Sequence, residues 1–265
     1  VAESEYVRGR PHRALVRYVL GYSGYREFSP IPLRRRQAPV GSCALILSFG
    51  DPIRLHGPAG PLVPASFLAG MHDAAVITEF TGAQGGVQVD LTPLGVFTLL
   101  RRPMPELTNR TPRLDELDDA ALSALPARLA EDRDWARRFA RLDRYLGSRL
   151  LDDRAAHPDP EVAWAWDTLV DSDGAVPVAA LAAEAGWSRR HLLTRFRDQI
   201  GLAPKPAARV LRFSRAAQLL VAGSAAADVA ATCGYADQSH LVREFRALAG
   251  CTPGQYRAEQ DAAAT

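Results

Sequence analysis

Eight polar side chains fall into two matched clusters in the second half of the chain. Arg189, Arg190, Thr194 and Arg197 form one, and Gln238, Ser239, Arg243 and Arg246 form the other. Arginine carries a planar fork that grips phosphate or a guanine edge through two parallel bonds, and glutamine reaches adenine edges in the same way. The chemistry this points to is recognition of duplex DNA rather than catalysis.

A repeat must hold these side chains in place. The first copy runs from Leu181 to Arg197 and closes on Gly201-Leu202-Ala203-Pro204; the second runs from Val229 to Arg246 and closes on Gly250-Cys251-Thr252-Pro253. Gly186 and Gly234 are 48 positions apart, whereas the matched His, Leu, Phe, Arg, Gly and Pro positions are 49 apart, so one residue is added in the second turn. Each copy reads as helix, tight turn, helix. Val178, Leu181, Ala182 and Ala185 make one apolar face, Gly186 suits a left-handed C-cap, and Ser188 suits an N-cap. Leu192, Phe196 and Ile200 continue the stripe. In the second copy Val229, Ala230 and Cys233 pack, Gly234 turns, Asp237 caps, and Leu241, Phe245 and Leu248 form the stripe. The eight polar residues lie off both stripes. His191 and His240, each just before a stripe leucine, read as packing or phosphate-contacting residues rather than ligands.

Between the copies, Pro206 to Val221 reads as a helix with an apolar face (Val210, Phe213, Ala217, Leu220, Val221) and a basic face (Arg209, Arg212, Arg215). From Ser188 to Arg215 there are eight basic residues and one acidic, a local net of +7, although the chain from Pro160 onward is balanced at eleven of each. Such concentration suits a phosphate-binding stripe. A rod of this length can set two reading units about one DNA turn apart, roughly 34 Å.

Residues 160–257 resemble the DNA-binding domain of the AraC/XylS family of bacterial transcription regulators. The resemblance rests on Leu181 to Leu192 with Gly201–Pro204, and more specifically on Val229 to Arg246 with Gly250 to Arg257. It implies a seven-helix domain with two readers joined by a long helix. By position, the family's base-contacting sites fall on Arg190, Leu193 and Thr194, then on Gln238, Ser239, Val242 and Arg243. Leu193 is expected to pack rather than read. The stretch from Leu94 to Phe97 and on to Arg110 resembles the N-terminal halves of other members, in which that half senses an effector or mediates dimerisation.

The first 110 residues are rich in Pro and Gly and contain short apolar runs. Ala44–Phe49, the alternating Gly86–Leu91 and Gly95–Leu100 read as strands separated by turn signals, one of them at 57–61. Helical patterning begins after residue 115 and runs from Ala120 to Leu151, with Trp135, Phe139, Leu142, Leu146 and Leu150 on one stripe, free to pack internally or across a dimer. Val162, Trp166, Leu169 and Val170 make a further core stripe. The expected class is α+β and multidomain. Residues 1–115 form a β-rich sandwich or partial barrel for sensing or assembly, and 116–159 a helical connector with a polar linker at Asp152–Pro160. Residues 160–258 form an all-α double helix-turn-helix domain, and 259–265 a flexible tail.

The chain of 265 residues is 47% hydrophobic and 23% charged, with a net charge of +2, which excludes wholesale disorder. Its 32 basic residues comprise 31 arginines and Lys205, a bias that GC-rich coding explains. No run is long and apolar enough to span a membrane, and the polar start at Val1–Glu5 lacks a secretory pattern, so the expected compartment is the cytoplasm. Cys43, Cys233 and Cys251 are too widely spaced for a zinc cage; Cys233 reads as a core residue and Cys251 as partly exposed. His56 and His72 lack the pattern of a metal-binding pair, and Arg34-Arg35-Arg36 reads as a solvated loop run that could alternatively bind an anion. No catalytic, cofactor or metal constellation stands out. The expected partners are double-stranded DNA, with a small effector, RNA polymerase and a second copy of the chain left open. A regulator whose β-rich half serves only assembly, and an enzyme merely docked by its helical half, are the competing readings.

Overall fold

The computed structural model describes residues 4–57, 60–152 and 156–264. Parts of three expected features (the polar start, the turn at 57–61 and the linker at Asp152–Pro160), together with the last tail residue, lie outside the described residues. The chain opens with strands β1 (Ser4–Gly9), β2 (Val19–Gln37), β3 (Cys43–Ser48), β4 (Arg54–Gly57), β5 (Gly60–Leu62), β6 (Phe67–Ala69) and β7 (Val76–Leu91). They form one seven-stranded sheet in the order β1-β2-β7-β3-β6, with β4 joined to β7 and β5 to β4. All pairings are antiparallel.

Two strands dominate. β2 has 19 residues and β7 has 16. A straight strand as long as β2 would reach roughly 60 Å at about 3.3 Å per residue, too long for a small domain, so both must bend. The bend is encoded by Ser29-Pro30-Ile31-Pro32. Proline has no amide hydrogen for the ladder, and the register slips between Ser29 and Leu33, opposite Gly82 and Phe80. Each long strand therefore has two arms. Val19–Ser29 pairs with Gly82–Leu91, and Leu33–Gln37 pairs with Val76–Phe80. Residues of both arms line one cavity of about 420 Å³, so the sheet folds back on itself.

Strand alternation then assigns two apolar faces. Leu45, Leu47, Val87, Val89 and Leu91 are buried in a core shared with the helices. Ile46, Leu55 and Phe67 form a second cluster with Ala44 and Val76 on the cavity side.

The run Gly95–Leu100, expected as a strand, is helical: α1 spans Pro93–Leu100. Thr92 caps it by accepting from the Gly95 amide at 3.0 Å, and Pro93 occupies the first turn. Six of its eight residues are buried, so the helix is apolar nearly all round and its composition mimics a buried strand. The helical stretch expected from Ala120 is three helices, α2 (Ala120–Ser123), α3 (Leu125–Glu131) and α4 (Trp135–Leu150). The α4 stripe packs within the chain. Leu142, Leu146 and Leu150 are buried, Trp135 lies on Gly24, and Phe139 covers Gly9 and stacks on Tyr22 with ring centroids 5.6 Å apart.

Seven further helices follow among the described residues: α5 (Pro160–Asp171), α6 (Val178–Glu184), α7 (Arg189–Ile200), α8 (Pro204–Val221), α9 (Ala226–Thr232), α10 (Gln238–Leu248) and α11 (Pro253–Ala264). Val162, Trp166 and Leu169 are buried in α5, but Val170 faces solvent. The segment expected as a tail from Glu259 continues α11 as far as Ala264. No helix among the described residues is long and apolar enough to cross a membrane.

Candidate nucleic-acid interface

The two helix–turn–helix units are built by the same local bonds. At the end of α6 the amide of Trp187 donates to the Ala182 carbonyl at 3.0 Å, and that of Gly186 donates to Ala183 at 3.1 Å. At the end of α9 Tyr235 donates to Ala230 at 2.9 Å, and Gly234 to Ala231 at 3.3 Å. Both glycines take positive φ, +67° and +70°, as this C-cap demands. Caps then start the second helices. The Ser188 hydroxyl accepts from the His191 amide at 3.2 Å, and the Asp237 carboxylate accepts from the His240 amide at 2.6 Å. The inserted residue sits in the second turn and disturbs neither helix.

The two histidines play parallel roles. His191 meets Trp187 edge-on with centroids 4.4 Å apart, and His240 meets Tyr235 edge-on at 5.2 Å. Each ring braces the turn against the first residues of the following helix. Beneath them Leu192, Phe196, Ile200, Leu241, Phe245 and Leu248 are buried.

All eight polar residues singled out by spacing are exposed: Arg189, Arg190, Thr194 and Arg197 on α7, and Gln238, Ser239, Arg243 and Arg246 on α10. Among the described residues, none of their five arginines forms an ion pair. Thr194 returns its hydroxyl to the Arg190 carbonyl at 3.0 Å. Leu193 does not pack as expected. It is 40% exposed, because one step of about 100° beyond the Leu192 stripe turns it outward beside Arg190 and Arg197. Val242 is half-buried.

The connecting rod corrects the expected basic stripe. α8 has 18 residues, and its Val210, Phe213, Ala217 and Leu220 are buried, but Val221 is 43% exposed at the helix end. Its arginines are occupied internally. Arg209 pairs with Glu244 of α10 at 2.6 Å, Arg215 with Asp173 at 3.7 Å, and Arg212 donates to the Gly174 carbonyl at 3.3 Å. Arg195 on α7 is likewise taken, gripping Asp159 through bonds of 2.7 and 2.9 Å. That pair holds the Asp159 carboxyl below the usual carboxylate range. The solvent faces of α7 and α10 thus carry five exposed arginines, and Lys205 is exposed at the start of α8.

Arg34, Arg35 and Arg36 are not a solvated loop run. They lie in β2, and each has its own carboxylate: Glu79 at 3.3 Å, Glu27 at 2.7 Å and Glu259 at 2.7 Å. Cys251 is buried rather than partly exposed, and burial raises its thiol pKa as it does that of Cys233. Cys43 is pushed up to about 12 by burial, so all three thiols are poor nucleophiles near neutral pH.

Residues 181–259 match the helix-turn-helix domain family. The C-terminal domain is an AraC-type helix-turn-helix domain. Over 101 residues the chain is 31% identical to the HTH-type transcriptional regulator MtrA of Neisseria gonorrhoeae, covering 38% of this chain and 30% of that protein. It is 35% identical over 83 residues to the F1 operon positive regulatory protein of Yersinia pestis, covering 31% and 28%. The chain thus spans under a third of the length of these curated relatives. ToxT from Vibrio cholerae O395 matches over 97% of both chains at 11% identity with a TM-score of 0.50, a likeness of fold along the whole chain.

Sequence spacing missed the cavity of the β-rich half. Tyr25, Arg35, His72, Gln88 and Asp90 all reach its lining. One signal was available: Gln88 and Asp90 alternate with buried Val87, Val89 and Leu91, so polar groups occupy one face of a strand that is covered on both sides.

Proposed function

We propose that this protein is a sequence-specific DNA-binding transcription regulator. In this reading residues 160–258 grip duplex DNA, 1–115 sense a ligand or assemble, and 116–159 connect them. The observation that carries the reading is the duplicated unit, in which α7 and α10 start at equivalent caps and each turn four polar side chains to solvent. Arg189, Arg197 and Arg246 hold phosphates, while Arg190, Thr194, Gln238, Ser239 and Arg243 meet base edges. The 18 residues of α8 span roughly 27 Å, which suits two readers on successive major grooves.

The test begins with selection of a cognate duplex from a random pool, followed by titration of the full chain and of Arg190→Ala and Arg243→Ala. Selective loss on the selected site supports the reading. Equal loss on scrambled DNA moves these arginines to phosphate contacts, and an absence of any enriched sequence removes the sequence-specific function.

Control by a small molecule is favoured over pure assembly by the cavity of about 420 Å³ inside the sheet. A pocket of that size suits a small ligand. Ligand binding to the folded chain raises its melting temperature, so thermal scanning against a metabolite library separates sensing from assembly alone.

A further inference from the structure

The cavity lining carries little unspent charge. Arg35, its only arginine, gives both terminal nitrogens to Glu27 at 2.8 and 2.7 Å and lies over the Phe80 ring at 5.7 Å. Tyr6 gives Glu27 a further bond at 2.8 Å. The second carboxylate, Asp90, accepts from Gln88 at 2.7 Å and, among the described residues, forms no ion pair. Burial raises its pKa, outweighing the lowering effects of the Gln88 hydrogen bond and the Arg8 charge.

Two neutral polar groups stand without partners. The Tyr25 hydroxyl is buried with no hydrogen bond, and so are both ring nitrogens of His72, which lie beside the Arg110 backbone. Burial lowers the His72 pKa, so the imidazole is neutral near pH 7 and offers one donor and one acceptor. Tyr25 is paired with Gly86 across the β2–β7 ladder, and its hydroxyl lies 2.7 Å from the place a Cβ of residue 86 would take. Glycine at this position gives the phenol its room. A buried polar group left unpaired is costly, and a ligand that pairs with it recovers that cost.

We propose that this cavity takes a small amphiphile with an apolar body and an uncharged or cationic head that donates hydrogen bonds, and that it rejects carboxylates and phosphates. The proposal rests on the reading of the β-rich half as a sensing unit. The apolar body packs among Ile46, Phe67 and Phe80, and Tyr25, His72 and Asp90 are the polar groups of the same lining to which a head can bond. An acid would bring a third anion beside Glu27 and Asp90, where the one lining arginine is already neutralised, and such burial is unfavourable.

The experiment titrates the full chain calorimetrically with three probes that share one body: naphthylbutanol, naphthylbutylamine and naphthylbutanoic acid. The alcohol and the amine are expected to bind, with the acid weaker by about tenfold or more. Tyr25→Phe is expected to weaken the alcohol and the amine by roughly two- to tenfold while leaving the melting temperature of the free protein equal or higher, because it removes an unpaired buried atom. A merely structural hydroxyl would give the reverse, a lower melting temperature with unchanged affinity, and that result overturns the role of Tyr25. Asp90→Asn is expected to weaken the amine more than the alcohol. Acid binding as tight as alcohol binding overturns the ligand class and leaves the sensing reading standing. Silence from all three probes, with no thermal shift, overturns the sensing reading itself while leaving DNA recognition untouched.

Discussion

Arg36 in β2 and Glu259 in α11, 223 residues apart, are joined by two hydrogen bonds of 2.7 and 3.1 Å. The same guanidinium donates to the Ala249 carbonyl at 2.7 Å, at the C-cap of the second reader helix. One side chain of the β-rich half therefore holds the end of the α10 unit. Its neighbour Arg35 points to the other face of the strand and into the cavity. Strand alternation puts the cavity lining and the contact to the α10 unit one residue apart.

Arg36→Ala should loosen the second reader from the sheet. Most of the cost comes from the stranded Ala249 carbonyl, about 1–3 kcal/mol, because Glu259 is partly exposed and the ion pair itself adds little. Denaturant unfolding gives the loss, and hydrogen exchange should localise it to residues 249–259. Unchanged exchange there would show that the contact does not couple the two parts.

Arg190→Ala and Arg243→Ala should each cost roughly 1–3 kcal/mol on a cognate duplex and less on scrambled DNA. Among the described residues neither guanidinium is in an ion pair, so binding breaks none there. Affinity should also fall steeply with added salt, because phosphate contacts release counterions. A flat salt titration would contradict the assignment.

Arg138 is a buried cation at the junction of α3 and α4. It donates to the Leu129 and Asp132 carbonyls at 2.9 and 2.7 Å and lies 4.5 Å from the Trp135 ring centroid and 5.0 Å from that of Phe49. Arg138→Met keeps much of the volume but leaves both carbonyls without this donor. The expected loss is about 2–4 kcal/mol, read by thermal or chemical unfolding; a loss below about 0.5 kcal/mol would mean that water replaces the guanidinium without penalty.

The Asp159–Arg195 pair should leave a signature in acid. Arg195 holds the Asp159 carboxyl below its ordinary value near 3.9, so folding favours the ionised form. Its contribution is fully present above about pH 4 and is lost as pH falls through the depressed folded value. The pair is partly solvated, which keeps this term within about 1 kcal/mol. Melting temperature followed from pH 6 to pH 2.5 should fall less steeply for Arg195→Met than for the parent chain. Identical slopes would remove the pair from the acid response.

The amino-acid sequence by itself determined the two reader units. Their cap residues, glycine turns and apolar stripes act across three to seven positions, so spacing alone predicts which side chains turn outward, and the eight polar residues of α7 and α10 are exposed as expected. Only the tertiary structure decided what pairs over long distances. Register in the β2–β7 ladder sets Arg34 beside Glu79, the bend within β2 brings Arg35 to Glu27, and packing of α11 brings Glu259 to Arg36, while the folded-back sheet gathers Tyr25, His72, Gln88 and Asp90 around one cavity. Packing likewise turned the apolar run at Gly95–Leu100 into a helix, because a segment buried all round has no polar face to reveal its period. Local order is written in short-range bonds, whereas the partners of a buried charge are set by which distant strand lies alongside.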